Sequence, residues 1–164
     1  MLIYLDYAAT SPMLPSSMRE FARVCRGEVG NPNSIHASGT RNNAFLQEQK
    51  KTVAACLNCE PEQVIFTSSA TESCRLAVLR LLNDYWEAFC SPYEHDAVYK
   101  MLPDYGNIHS KSRKKEAALA HIHTCNETGF IYYPVNTGAW NICFSDCTAA
   151  MGKYPLNFKS DGID

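Results

Sequence analysis

No apolar run in this chain approaches the ~20 residues that a membrane-crossing helix needs. The best candidate, Leu76 to Leu82, is broken by Arg80. Excess charge of one sign is missing too. Fifteen basic and 17 acidic side chains leave a net charge of −2. That excludes a global electrostatic case for nucleic acid or an anionic membrane surface. The opening Met1-Leu2-Ile3-Tyr4-Leu5-Asp6 has no basic segment and meets an acid at once, so no secretory signal is expected. A cytoplasmic location and reduced thiols follow as expectations. The glycine-rich signatures are lacking as well. Without GxxxxGK[ST] there is no nucleoside-triphosphate P-loop, and without GxGxxG a dinucleotide fold is disfavoured. Cys56-x-x-Cys59 has no second CxxC to complete a metal site. It reads as small buried side chains near a helix end, and no metal is expected.

What remains is an ordinary globular composition, with 46% hydrophobic and 20% charged residues over a length of 164. That length fits one compact domain. The eight cysteines are scattered through apolar contexts rather than clustered in small loops. Strand-like runs alternate with helical stretches, which predicts an α/β domain. A helix is expected from Pro15 to about Arg26, and a loop from Gly27 to Gly39. A second helix should run from Thr40 to about Leu57, stopped by Asn58, with a turn at Glu60-Pro61-Glu62. Strands are expected at Gln63–Thr67, Ala88–Cys90, Ala117–Thr124 and Asn141–Phe144. Further helices should run from about Thr71 to Leu82 and begin at Asp96 towards Met101. The basic run Lys111-Ser112-Arg113-Lys114-Lys115 reads as a solvated loop, because no aromatic interleaves its charges for stacking on bases.

The most informative local pattern is Phe66-Thr67-Ser68-Ser69-Ala70-Thr71-Glu72-Ser73. A strand enters a turn of small hydroxylated residues and a helix leaves it. Ser69 and Glu72 have capping-box spacing. The free N–H groups and dipole of that helix start suit a phosphate, although plain capping is the favoured reading of this pattern taken alone. Other polar islands fall where strands should end. They are Tyr4-Leu5-Asp6-Tyr7-Ala8-Ala9-Thr10, Gly30-Asn31-Pro32-Asn33-Ser34-Ile35-His36, Glu94-His95-Asp96-Ala97-Val98, Cys125-Asn126-Glu127-Thr128-Gly129 and Asp146-Cys147-Thr148-Ala149-Ala150-Met151-Gly152-Lys153. His121, His123 and Cys125 alternate on one strand face, which by itself would suggest metal ligands.

In this order the islands resemble the motifs of the cysteine desulfurases of the class V aminotransferase family, which use pyridoxal phosphate (PLP). The resemblance implies a three-layer αβα PLP-transferase-like large domain with a mostly parallel, truncated sheet. It makes residues 1–164 a single incomplete domain of that kind. It places Ala70 and Thr71 at the cofactor phosphate and His95 over the pyridine ring as the catalytic imidazole. It places Asn126 at the phenolic oxygen and Asp146 at the protonated ring nitrogen. The implied reaction transfers sulfur from L-cysteine as a persulfide and releases L-alanine. Under the resemblance, His121, His123 and Cys125 belong to the strand leading to Asn126 and are structural.

The departures are specific. Ser69 stands for a glycine, Cys74-Arg75 for Asn-Asn or Asp-Asn, Cys125 for the first Asn of NNETG, Ser145 for a histidine and Ala149 for a glutamine. The stretches between His95 and Asn126 and between Gly129 and Asp146 are shortened. The family's Schiff-base lysine, in its Ser-x-His-Lys segment, its small C-terminal domain and its loop cysteine would follow Asp164 and are not in this chain. Lys153 matches the lysine after the aspartate, not the Schiff-base lysine. The chain alone is therefore expected to be inactive. It should need a complementing C-terminal half or a full-length relative, and a homodimer is expected, with no nucleic-acid or membrane partner. The alternative is a degenerate, non-catalytic binding protein that keeps the fold.

Overall fold

The computed structural model describes residues 3–27, 30–84, 87–91, 93–102, 117–122, 124–132 and 141–163. The chain forms two compact units. One comprises residues 1–56 and 60–64, the other residues 57–59 and 65–164.

The first unit is helical. Helix α1 spans Pro15–Gly27 and opens on a proline, whose missing N–H costs nothing in a first turn. It buries no residue, and Leu14, Met18 and Phe21 leave an apolar stripe exposed beside it. Helix α2 spans Ala37–Leu57 and buries Asn42, Ala54 and Leu57. It begins three residues before the expected Thr40. His36 makes the early start: its carbonyl accepts from Thr40 N–H at 3.0 Å and its Nδ1 from Gly39 N–H at 3.3 Å. Gly39 is obligatory there, because a Cβ would lie 2.1 Å from the Ser34 carbonyl oxygen. The expected loop thus ends at His36, and Gly39 is helical.

Asn58 follows the last turn with φ of 55°, the left-handed conformation that ends helices. Its side chain donates to Asn157 Oδ1 at 3.0 Å. Asn58→Ala should cost about 1 kcal/mol, because alanine lacks the short amide side chain that makes asparagine tolerant of the left-handed region. Urea unfolding checks this, and an unchanged midpoint would mean that the turn relaxes freely.

One strand expectation fails. After the 3₁₀ turn Pro61–Gln63, Val64 is extended, but residues 64–67 join no strand among the described residues. Val64 is buried, whereas Ile65 and Phe66 are 75% and 52% exposed. An apolar, β-branched run is a strand only when a neighbour takes its hydrogen bonds. Among the described residues none does.

The second unit holds a parallel sheet. Strand β1 is Glu87–Cys90, β2 is Ala117–Ile122 and β3 is Ile142–Asp146, in the order β1-β2-β3. The register pairs Cys90 with Ala120 and Ile122 with Asp146. Helix α3, Ala70–Asp84, and the short α4, Asp96–Tyr99, pack together over β1. Cys74, Val78, Leu81, Cys90, Ala97, Val98 and Leu102 form the core, with Val78 and Val98 fully buried. α4 stops at Tyr99, two residues short of the expected Met101 and four before Pro103. A last turn, α5, spans Phe158–Asp161 and is capped by Asn157, which accepts from Ser160 N–H at 3.1 Å. The basic run at 111–115 lies outside the described residues.

Candidate functional site

In a parallel sheet the carboxyl ends of all strands lie on one edge, and loops leaving that edge carry ligand sites. Here β1 ends at Cys90 and leads to His95, β2 ends at Ile122 and leads to Asn126, and β3 ends on Asp146 itself. Topology therefore gathers on one edge three residues that are far apart in sequence.

His95 is held by its own helix. It is the N-cap of α4, and its Nδ1 accepts from Ala97 N–H at 3.1 Å. Its carbonyl accepts from Val98 and Tyr99. With Nδ1 occupied as an acceptor, the neutral ring carries its proton on Nε2. The imidazole is exposed, so one flat face and Nε2 are available.

Asn126 sits in a tight turn. Gly129 N–H donates to the Cys125 carbonyl at 2.8 Å, and Cys125 N–H to that of Phe130 at 3.0 Å. Gly129 adopts φ of 74°, the left-handed region that such a reversal needs. Asn126 is exposed, whereas Cys125 is buried. The Thr128 hydroxyl, followed by the backbone N–H groups of Thr128 and Glu127, holds the Cys125 thiol below its ordinary range against the opposing effect of burial. Beyond the turn, the Tyr132 ring stacks on Tyr93 with centroids 5.2 Å apart. Phe130 meets Tyr132 edge-on at 6.4 Å. These rings join the loops after β1 and β2, a contact that sequence reasoning missed because no motif announces it.

Asp146 is buried and 6% exposed. Its Oδ1 accepts from Thr148 N–H at 3.0 Å and from the Thr148 hydroxyl at 2.6 Å. Its Oδ2 accepts from the Cys74 thiol at 3.7 Å. Cys74 lies one turn into α3, so the helix start at Ala70 and Thr71 is about 6 Å along the axis from this contact. At that start, Ser69 Oγ accepts from Glu72 N–H at 3.3 Å, the cap its spacing predicts. The Glu72 carboxylate reaches one residue further back, to the N–H and hydroxyl of Ser68 at 2.7 and 2.6 Å. Those bonds keep Glu72 ionised below the ordinary carboxylate range. Ala70 and Thr71 are exposed at the first turn.

Sequence gives Glu94, the first residue of Glu94-His95-Asp96-Ala97-Val98, no role. It is half-buried, with Oε1 accepting from the Ser91 hydroxyl at 2.7 Å and Oε2 buried without a partner among the described residues. Burial pushes its carboxyl up to about 7, the charge of Asp146 adding to the shift. Burial, Asp146 and Glu94 push the Cys74 thiol up to about 12.

All eight cysteines are free thiols, with Cys56 exposed and Cys59 half-buried. The bland reading of Cys56 as buried therefore fails: it lies on the outer face at the end of α2. Among the described residues no group of His, Cys, Asp or Glu could hold a metal. His123 lies outside them, and of His121 only the backbone register opposite Ser145 is described. No helix among them is long and apolar enough to cross a membrane.

The parallel sheet, its helices and this polar carboxyl edge define a PLP-transferase fold. A NifS-like protein of known structure superposes with a TM-score of 0.88 at 22% identity, over 100% of this chain and 54% of that one. A cysteine desulfurase from Thermococcus onnurineus NA1 superposes with a TM-score of 0.81 at 20% identity, over 99% and 48%. The family model of class-V aminotransferases matches residues 3–109. The chain belongs to the class-V aminotransferase family, a family of PLP-dependent enzymes. It is 40% identical to an IscS-like cysteine desulfurase of Mycobacterium tuberculosis, over 99% of this chain and 50% of the relative. It is 27% identical to a putative cysteine desulfurase NifS of Bacillus subtilis, over 99% and 49%. The chain thus spans about half the length of the curated relatives it matches.

Proposed function

We propose that this chain is the cofactor-binding part of a PLP-dependent cysteine desulfurase, which removes sulfur from L-cysteine as a persulfide and leaves L-alanine. The single observation that supports the reading is the shared carboxyl edge of β1, β2 and β3, at which β3 ends on Asp146 and from which the loops bearing His95 and Asn126 leave. Relatives that are cysteine desulfurases support it, as does the fold likeness to SspA in complex with cysteine, with a TM-score of 0.83 at 18% identity.

The residues fit the cofactor by their chemistry. A phosphorylated pyridine asks for an anion cradle, a flat neighbour and a carboxylate for its protonated nitrogen. The start of α3 offers the N–H groups of Ala70 and Thr71, and the Glu72 charge beside it is engaged by Ser68. His95 offers a ring fixed by its cap. Asp146 is a buried carboxylate whose Oδ2 meets only a thiol among the described partners. Asn126 offers an amide in an exposed turn.

Bound PLP supplies an electron sink for the bonds broken at the amino acid. This chain's residues do the rest. Asp146 would hold the cofactor's ring nitrogen in its cationic form. His95 would offer its flat ring to the pyridine and could hold a proton at Nε2. Asn126 would supply an amide donor for the phenolic oxygen, and the start of α3 would supply N–H groups for the phosphate. No lysine here stands in a Ser-x-His-Lys segment, so the chain alone releases no sulfide. The complement is a C-terminal half or a full-length relative, in a homodimeric arrangement.

Titration of the purified chain with PLP, followed by borohydride reduction and intact-mass measurement, tests this. Non-covalent binding is expected, with no sulfide formed from cysteine above a PLP-only blank. His95→Asn keeps a capping acceptor but removes the ring, and should weaken PLP binding about tenfold. A stoichiometric covalent adduct would show that a lysine of this chain takes the Schiff-base role. No binding at all would refute the cofactor reading and favour a non-catalytic protein of the same fold.

A further inference from the structure

The two oxygens of Asp146 are held very differently. Oδ1 has two strong donors, both from Thr148, at 3.0 and 2.6 Å. Oδ2 has the thiol of Cys74, which is 72 positions away in sequence and 3.7 Å away in space. A thiol gives a long, weak hydrogen bond and has almost no acceptor strength. It can therefore orient a carboxylate without saturating it, and it offers nothing that competes for a cationic donor.

The surroundings keep the thiol in its donor form. Cys74 is 5% exposed and packs in the core with Val78, Leu81, Cys90 and Val98. Two carboxylates face it, Asp146 from the end of β3 and Glu94 from the loop after β1, and both disfavour a thiolate. Its proton therefore stays on sulfur throughout the physiological pH range, which separates Cys74 from a nucleophilic cysteine.

We propose that Cys74 is a positioning residue: its thiol is the permanent donor that fixes Oδ2 of Asp146 from the side of α3 while leaving that oxygen able to accept a cationic ring N–H. The value of this arrangement for PLP rests on the reading above, but the hydrogen bond itself does not. The competing explanation is that Cys74 is only a small core side chain.

Infrared spectroscopy of the full chain without cofactor separates the two. The S–H stretch falls in a window clear of other protein bands, and subtracting the spectrum of Cys74→Ser or Cys74→Ala isolates the band of Cys74. The expected band has the lowered frequency of a hydrogen-bonded thiol. Asp146→Asn, which removes the charge of the acceptor, should raise it. A band at free-thiol frequency that ignores Asp146→Asn overturns the proposal.

PLP titration then tests the consequence. Cys74→Ala should weaken binding about threefold, the size of a weak net hydrogen bond, and shift the pH profile of the bound cofactor's absorbance. Cys74→Ser restores a donor without restoring the apolar packing, so it should recover most of both. Equal behaviour of the two variants overturns the proposal. If wild type shows the bonded S–H band but binds no PLP, the positioning role stands and the cofactor reading falls. If it binds PLP with a free-thiol band, the reverse holds.

Discussion

Asp146→Asn is expected to leave the fold intact and to lower PLP affinity about a hundredfold or more. The asparagine keeps the volume of the side chain and one oxygen for the Thr148 N–H and hydroxyl. What it removes is the buried negative charge, and a cationic ring nitrogen left facing a neutral amide loses roughly 3–5 kcal/mol. Asp146→Ala behaves differently. It removes the acceptor of the buried Cys74 thiol, whereas the Thr148 donors belong to an exposed residue and can turn to water. Losing that one buried hydrogen bond should cost about 1 kcal/mol of stability in the cofactor-free chain. Urea unfolding and PLP titration of the two variants measure both effects. Wild-type PLP affinity in Asp146→Asn would show that the ring nitrogen does not pair here. Unchanged stability in Asp146→Ala would show that water satisfies the Cys74 donor as well.

The pH dependence of stability should carry the mark of Glu94. Its carboxyl is pushed from 4.5 up to about 7, first by burial and then by the charge of Asp146. The Ser91 hydroxyl and the Ile122 N–H pull the other way and lose. Cys74, on α3, also faces this group and is a neutral thiol at these pH values. A raised carboxyl binds its proton more tightly in the folded chain than in the unfolded one. Its stabilisation is therefore fully present below about 4.5 and is lost as pH rises through about 7. The span of the shift corresponds to roughly 3 kcal/mol. Glu94→Gln keeps the shape and cannot ionise. Its urea midpoint should stay flat relative to wild type between about pH 5 and 8, and it should be the more stable protein at the upper end. The buried Oε2, which has no partner among the described residues, makes ionisation there costly. A wild-type midpoint that rises with pH relative to the variant would contradict this account.

The sheet edge shows how far local pattern carries. The existence of the three strands was legible because buried parallel strands are short apolar runs, but β2 stops at Ile122 rather than the expected Thr124 and β3 runs past the expected Phe144 through polar Ser145 to Asp146, since pairing and not polarity sets the ends. The α3 start was legible because Ser69 and Glu72 interact within one turn. Asn58 was legible as a stop because asparagine tolerates the left-handed backbone it adopts. By contrast, residues 64–67 have the composition of a strand and pair with none among the described residues, since pairing requires a neighbour that composition cannot supply. Cys56 looked like a core residue and is exposed, because its place on the face of α2 is set by packing.

The same division holds at the site. The sequence by itself determined the residue types, their order along the chain and the local caps and turns that hold them. Each of these depends on contacts a few residues apart. Only the tertiary structure decided that Cys74 reaches Asp146, that Glu94 is half-buried with a raised carboxyl, and that Tyr93 stacks on Tyr132. Those are long-range contacts, and burial and electrostatic coupling exist only once distant segments exclude water from one another.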